Sequence, residues 1–297
     1  MINIAITGGD SFAAGELTRI LINHPDCNIR WIASNKVNGL VANYHKGLWG
    51  ECELTFSSPS VQDIDVVFCC DNDGAQWCQQ ARKENDRLRI IDIAGALTST
   101  NDTMYGLCEI NRKFMVHDCY NVVTMPTPQA MVTLLALVPL AKNLMIGGDI
   151  SVDMSYPTIV KPVANLAQEI ATVITALQTS FNHDINITTA VNHNSTRGIT
   201  ATVTLTCDIN IATVKELYNQ YYDDHNFTFI TDQDIDTSHV INTNKCLLHL
   251  SQDKNSLSIK AVADAMLKGG AGNAVHAMNL LFGLHERTAL ALKAQVI

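Results

Sequence analysis

The chain has 297 residues, 47% hydrophobic and 16% charged, enough apolar material for a large core and a length that accommodates two domains. Its formal net charge of −9 and lack of any basic run exclude nucleic acid as a partner. The longest apolar run, Met131 to Ala141, is broken by Pro139 and falls short of the roughly 20 residues that span a bilayer, so no membrane association is expected.

The first 120 residues alternate strand and helix patterns. "INIAIT" (2–7) reads as a buried strand, and the helical "AAGELTRILINHP" after it stops at Pro25. "NIRWIAS" (28–34), "DVVFCC" (65–70) and "RIIDIAG" (89–95) are further apolar strands, with the helical "GAQWCQQARKEN" between the last two. This succession predicts an α/β fold with a Rossmann-type doubly wound parallel sheet. The texture changes after about Asn121. Helices are expected over 128–142 and 163–178, and "ITATVTLTC" (199–207), "NFTFIT" and "KCLLHLS" read as antiparallel strands. A second, α+β domain with a mostly antiparallel sheet follows from these. The tail "AGNAVHAMNLLFGLHERTALAL" has apolar residues at helical spacing and predicts one long buried helix. The expected division is 1–123, 124–270, and 271–297 as a C-terminal helix packing back on the first domain.

The stretch "TGGDSFAAGEL" (7–17) lies where the first strand meets the first helix, the place of a phosphate-binding turn. Gly8 and Gly9 supply a tight turn, while Ser11 and Ala14 stand where a glycine-rich turn would carry glycine. The backbone from Asp10 through Ser11, Phe12 and Ala13 is expected to present amides to a pyrophosphate. After the second strand come Ser34, Asn35 and Lys36 with no carboxylate, which leans toward NADP(H) rather than NAD(H), bound weakly. Two glycines after a strand also describe an ordinary turn. Nine cysteines without a C-x-x-C pair, and an N-terminus "MINIAITGG" without a signal-peptide pattern, point to a reduced cytoplasmic setting. The histidines form no cluster at ligand spacing, and no metal is expected.

Several stretches together resemble N-acetyl-γ-glutamyl-phosphate reductase, a relative of aspartate-semialdehyde dehydrogenase. "AITGGDSFAAGELTRILINHP" is similar to that family's nucleotide-binding opening, and "MYGLCEINR" (104–112) to its Y-G-L-P-E segment. "STRGITATV" (195–203) and "LKGGAGNAVHAMNLLFGL" (267–284) resemble a strand of its second domain and its K-G-A-A-G-Q-A-V helix. The resemblance implies a Rossmann domain, a substrate and oligomerisation domain forming a dimer or tetramer, and NADP-dependent reduction of an acyl phosphate to a semialdehyde. It also implies cofactor contacts at Gly272 and Asn273 and substrate contacts at Arg112, Arg197 and Lys268, each of which could equally serve in a structural ion pair.

The family's reaction needs a thiolate that attacks the acyl phosphate and a histidine that moves protons. The cysteine lies in an N-P-G-C-Y-P-T segment at the mouth of a helix. Aligned on Asn121, Pro126 and Thr127, that segment puts Thr124 at the cysteine position, where a threonine is also an ordinary helix cap. The family's H-R-H-x-P-E-I segment, aligned through Glu169 and Ile170, puts Leu166 and Ala164 at the two histidine positions. "DMSYPTIVKPV" lacks the glycines of the substrate loop, Asn72 and Asp73 replace a Pro-His pair, and Ala265 replaces an asparagine. The first expectation is therefore a family member that binds NADP(H) without the thioester chemistry. A second is an active reductase of arginine biosynthesis that uses another thiol, Cys119 or Cys108. A third is a site rebuilt for another nicotinamide-dependent oxidoreductase reaction around Asp73, Tyr156 or Lys161.

Overall fold

The computed structural model describes residues 1–97, 103–117 and 120–295. The chain forms two compact units, Met1–Pro126 with Gly270–Ala291, and Thr127–Gly269 with Leu292–Ile297, against the expected divisions at 123/124 and 270/271.

Unit 1 runs β1 (Ile2–Ile6), α1 (Phe12–Leu21), β2 (Cys27–Ile32), α2 (Val41–Tyr44), β3 (Val66–Cys69), α3 (Asn72–Glu84), β4 (Arg89–Asp92), β5 (Thr103–Tyr105), α4 (Cys108–His117) and β6 (Val122–Thr124). The strands pair in the order β2-β1-β3-β4-β6-β5, all parallel. Strands covered by helices on both faces read as continuous apolar runs, and Val66 to Cys69 is buried at every residue. The chain leaves β1 toward β2 on one side and returns to β3 on the other. That reversal opens a crevice beyond the carboxyl ends of β1 and β3, where doubly wound folds take their ligands.

Unit 2 runs α5 (Pro128–Lys142), β7 (Ile150–Pro157), α6 (Leu166–Leu177), β8 (Ile185–Asn192), β9 (Gly198–Thr206), α7 (Ile211–Tyr222), β10 (Thr228–Ile230), β11 (Cys246–Asp253) and β12 (Ser256–Asp264). The sheet order is β10-β11-β12-β9-β7-β8. The antiparallel expectation for "NFTFIT" is corrected, since β10 runs parallel to β11. In β9 the side chains of Ile199, Ala201, Val203 and Leu205 are buried while the intervening threonines are not, a period-2 pattern that lays one face on α5.

α5 is the spine of this unit, starting at Thr127, whose hydroxyl accepts from Ala130 N, with Pro128 in the first turn, and buried from Gln129 through Ala141. Pro139 inside it has no N–H for the Leu135 carbonyl four residues back. The Tyr222 hydroxyl donates to that carbonyl at 2.6 Å, and the Tyr218 hydroxyl donates to the Ala136 carbonyl beside it. Two tyrosines of α7 thus satisfy a stretch of helix that a proline has interrupted.

A turn kinked at Gly270, Leu267–Ala271, leads into α8 (Gly272–Leu281), which packs against α1, α4 and β4 of unit 1. The long terminal helix expected from the tail is corrected: α8 ends at Leu281, and Gly283 at φ +67° turns the chain away. Asn279 holds the returning segment by donating to the carbonyls of Glu286 and Thr288, and its own oxygen meets His24 Nε2 at 3.0 Å. Among the described residues no helix is long and apolar enough to cross a membrane.

Candidate functional site

At the carboxyl ends of β1 and β2 lies a cleft of about 290 Å³, lined by Gly8, Ser34, Asn35, Phe56 and Trp77 among others. Gly8 has φ +62°, and a Cβ there would lie 2.7 Å from Asp71 Cγ. A Cβ on Gly9 would lie 2.7 Å from Ile32 Cγ2, so both glycines are needed for the turn to press on its neighbours. The expectation that the amides of residues 11 to 13 all face a phosphate is corrected. Ser11 N donates to Gly8 O, and Ser11 Oγ accepts from Ala14 N, which leaves the amides of Phe12 and Ala13 open among the described residues. Ser34 and Lys36 lie together at the far side of the turn, both bound to Asp10: Ser34 Oγ donates to Oδ1 at 2.7 Å, and Lys36 Nζ to Oδ2 at 3.0 Å. Asn35 leans toward Asp73 at 3.5 Å. Gly272 and Asn273 begin α8 rather than lining the cleft, and Asn273 Nδ2 donates to Gly106 O at 3.1 Å.

The second candidate centre is the mouth of α5. Thr124 does not stand there: it is the last residue of β6, its hydroxyl buried without a hydrogen-bond partner among the described residues, and it caps no helix. Pinning the first proline of N-P-G-C on Pro126, rather than the second, sets Pro128 at the cysteine position. The observed helix start agrees with that register. Thr127, the cap, is held by Glu169, which accepts from Thr127 N at 3.1 Å and from Thr127 Oγ1 at 2.7 Å. A Cβ on Gly269 would lie 2.8 Å from Pro128 Cβ, so the backbone approaches the mouth closely on its other side. Leu166 opens α6 with its side chain buried.

Comparison with known sequences bears on both centres. The profile of the semialdehyde dehydrogenase NAD binding domain matches residues 3–117, and that of the semialdehyde dehydrogenase dimerisation domain matches 166–265. N-acetyl-gamma-glutamyl-phosphate reductases of Parabacteroides distasonis and Phocaeicola vulgatus are 36% and 34% identical to it, each over 99% of both chains. The chain belongs to the N-acetyl-gamma-glutamyl-phosphate reductase family. An aspartate semialdehyde dehydrogenase II of Vibrio cholerae, complexed with ASA, has the same fold, with a TM-score of 0.74 at 13% identity over 95% of this chain and 98% of that one. A probable aspartate-semialdehyde dehydrogenase of Pseudomonas aeruginosa gives 0.72 at 14% identity over 95% and 98%.

In this member of the reductase family, the cations expected at a substrate have partners of their own. Arg112 pairs with Glu286 at 2.7 Å, and the other oxygen of Glu286 meets His276 Nε2 at 2.6 Å in the interior of unit 1. Arg197 pairs with Asp264 at 2.9 Å, a fully buried carboxylate that also accepts from the amides of Asn242, Met266 and Leu267. Lys268 is fully buried, its ammonium 5.7 Å from the centre of the Phe227 ring. Of the alternative thiols, Cys119 lies outside the described residues and Cys108 is buried in α4. Burial pushes the thiol of Cys70, beside the cleft turn, well above the usual range, which keeps it protonated. Of the residues considered for a rebuilt site, Asp73 lines the cleft, the Tyr156 ring is buried on β7, and Lys161 is exposed, with its carbonyl accepting from Gln129 Nε2. Among the described residues no three potential metal ligands gather. Asp10 was expected only through its backbone and Glu169 only as a landmark of the family segment; their side-chain roles were not legible, because their partners lie about 25 and 42 positions away in the sequence.

Proposed function

We propose that this protein binds a nicotinamide dinucleotide in the unit 1 cleft, NADP(H) ahead of NAD(H), and does not reduce acyl phosphates. One observation carries the reading: at the mouth of α5 stand Thr127 and Pro128, and the Thr127 hydroxyl is engaged on both sides, donating to Glu169 and accepting from Ala130. A proline has no nucleophilic atom, and the Thr127 hydroxyl, though its proton is held by the Glu169 carboxylate, has its oxygen committed to Ala130 N as a helix cap. Leu166 offers no proton carrier. Losing the nucleophile of a covalent mechanism lowers turnover by on the order of 10⁴-fold or more. A stopped assay with N-acetyl-γ-glutamyl phosphate and NADPH tests this, and turnover at roughly 1 per second or faster would overturn it.

The residues of the cleft suit the dinucleotide. Gly8, Ser34 and Asn35 line the cleft and Gly9 completes the tight turn, while outside the lining the open amides of Phe12 and Ala13 suit a pyrophosphate and Lys36 suits a ribose phosphate. A nicotinamide held there supplies hydride chemistry, and the chain supplies the cradle. With two open amides, binding is weak, with dissociation constants of roughly 10 μM to 1 mM, or about 4 to 7 kcal/mol. Calorimetry with NADPH measures it directly. The match to a dimerisation domain supports a homo-oligomer, a dimer or tetramer, and sedimentation as a stable 32.5 kDa monomer would count against it. The eight described cysteines, all buried and outside any disulfide, support a reduced cytoplasmic location, checked by fractionation.

A further inference from the structure

We infer that Asp10 sets this protein's choice between NADP(H) and NAD(H), because its carboxylate holds Ser34 and Lys36 in the place where a 2′-phosphate would be bound. The inference rests on the reading that the unit 1 cleft takes a nicotinamide dinucleotide.

Enzymes that prefer NAD place a carboxylate at the end of the second strand, where it accepts from the ribose hydroxyls and repels a 2′-phosphate. Here the loop after β2 has no acid, and Ser34 and Lys36 look free to receive phosphate. The carboxylate arrives from elsewhere: Asp10, on the glycine turn between β1 and α1, reaches across and binds both. Its two oxygens take a hydroxyl at 2.7 Å and an ammonium at 3.0 Å, the same two donors that would serve two phosphate oxygens. The arrangement is braced from behind. Ser34 Oγ already accepts from Lys36 N at 3.1 Å and Val37 N at 3.4 Å, so its proton is directed at Asp10. The Asp10 side chain is largely covered while that of Lys36 is mostly exposed, so the carboxylate is the fixed partner of the pair.

The surrounding charge acts in the same direction. Asp71 and Asp73 also favour the charged form of Lys36, more weakly than Asp10 does. Although burial opposes it, donation by Ser34 and Lys36 holds the Asp10 carboxyl below the usual range, and it is ionised at neutral pH. A 2′-hydroxyl entering this corner finds an acceptor. A 2′-phosphate finds its two donors taken and an anion in its place. Asp10 therefore narrows the preference for NADP(H) that Lys36 would otherwise give.

The test is calorimetric titration of the full chain with NADPH and with NADH, for wild type, Asp10→Asn, Lys36→Gln and the double variant, with thermal unfolding as a check on folding. Asp10→Asn is expected to tighten NADPH about 5- to 10-fold and to leave NADH within about 2-fold. The gain shrinks with added salt and disappears when Lys36→Gln is combined with it. Lys36→Gln alone is expected to weaken NADPH binding about 2- to 4-fold, less than a free ammonium would cost, since the ammonium is shared with Asp10. Equal changes for both nucleotides in Asp10→Asn, or a tenfold loss of NADPH binding in Lys36→Gln alone, would overturn the inference while leaving nucleotide binding intact. No binding of either nucleotide to any form at millimolar concentration would remove the reading beneath it.

Discussion

Two helix mouths in this molecule start from the same design and end differently. α1 follows β1 and α5 follows β6, each at the carboxyl end of a strand in the parallel sheet of unit 1, and each opens with a hydroxyl cap, Ser11 or Thr127. At α1 the cap is local, and two amides remain for a ligand. At α5 a carboxylate from 42 positions down the chain closes the mouth by taking both the amide and the hydroxyl of the cap. The comparison teaches that a helix N-terminus stays a binding site only while no internal anion has settled on it. Both caps have extended backbone, and the difference lies in the long-range Glu169 side chain and in Pro128, which has no amide to offer where Phe12 has one.

Substitutions can break or sharpen that contrast. The largest effect is expected at the open mouth: Gly9→Val drives side-chain atoms into Ile32 and Phe56, costs about 1 to 3 kcal/mol of stability and abolishes NADPH binding. Survival of wild-type NADPH affinity in that variant would mean the α1 turn is not the site. At the closed mouth, Glu169→Ala leaves the cap without its acceptor and costs about 1 to 2 kcal/mol in chemical denaturation, with NADPH binding unchanged. Added inorganic phosphate should then recover part of the loss in the variant and none in wild type. If phosphate acts equally on both, Glu169 is not what keeps anions out.

The smaller effects probe what supports each mouth. Tyr222→Phe removes the donor from the Leu135 carbonyl and lowers stability by about 1 kcal/mol, read from the denaturation midpoint. In unit 1, Asp92 ends β4 opposite Thr124, with one oxygen accepting from Leu97 N and the other lacking a partner among the described residues. Burial raises its carboxyl above the usual 3.8. The folded state therefore binds this proton more tightly than the unfolded chain, and its contribution to stability falls as pH rises from 3.8 through the raised value. Asp92→Asn should remove that slope in unfolding measured from pH 3 to 7.

Much of this was legible in the sequence where local pattern decides. α5 occupies the expected 128–142, because a capping threonine, a first-turn proline and a long apolar run all agree there. β9 lies one residue from its expected bounds, since alternating threonine leaves little doubt about a half-buried strand. The tail misled because apolar spacing persists past Gly283, whose positive φ the pattern does not carry. The direction of β10 was unreadable, as periodicity is the same for parallel and antiparallel pairing. Thr124 was expected at a helix mouth because Pro126 can stand for either proline of the family segment, whereas it ends β6 and Thr127 caps the helix. Asp10 and Glu169 act on residues distant in sequence, a kind of information that spacing does not hold.

The proline in α5 also bears on how unit 2 assembles in time. The carbonyls of Leu135 and Ala136 receive their hydroxyl donors from Tyr222 and Tyr218, 87 and 82 positions later in the chain. Until α7 docks, the Leu135 carbonyl in the middle of α5 has no donor but water, and the helix cannot be buried between its neighbours without loss. The two helices are thereby obliged to lock together in one cooperative step that spans most of the unit. Local opening of α7 should expose α5 amides to solvent exchange at the same moment, so that both helices share one protection energy.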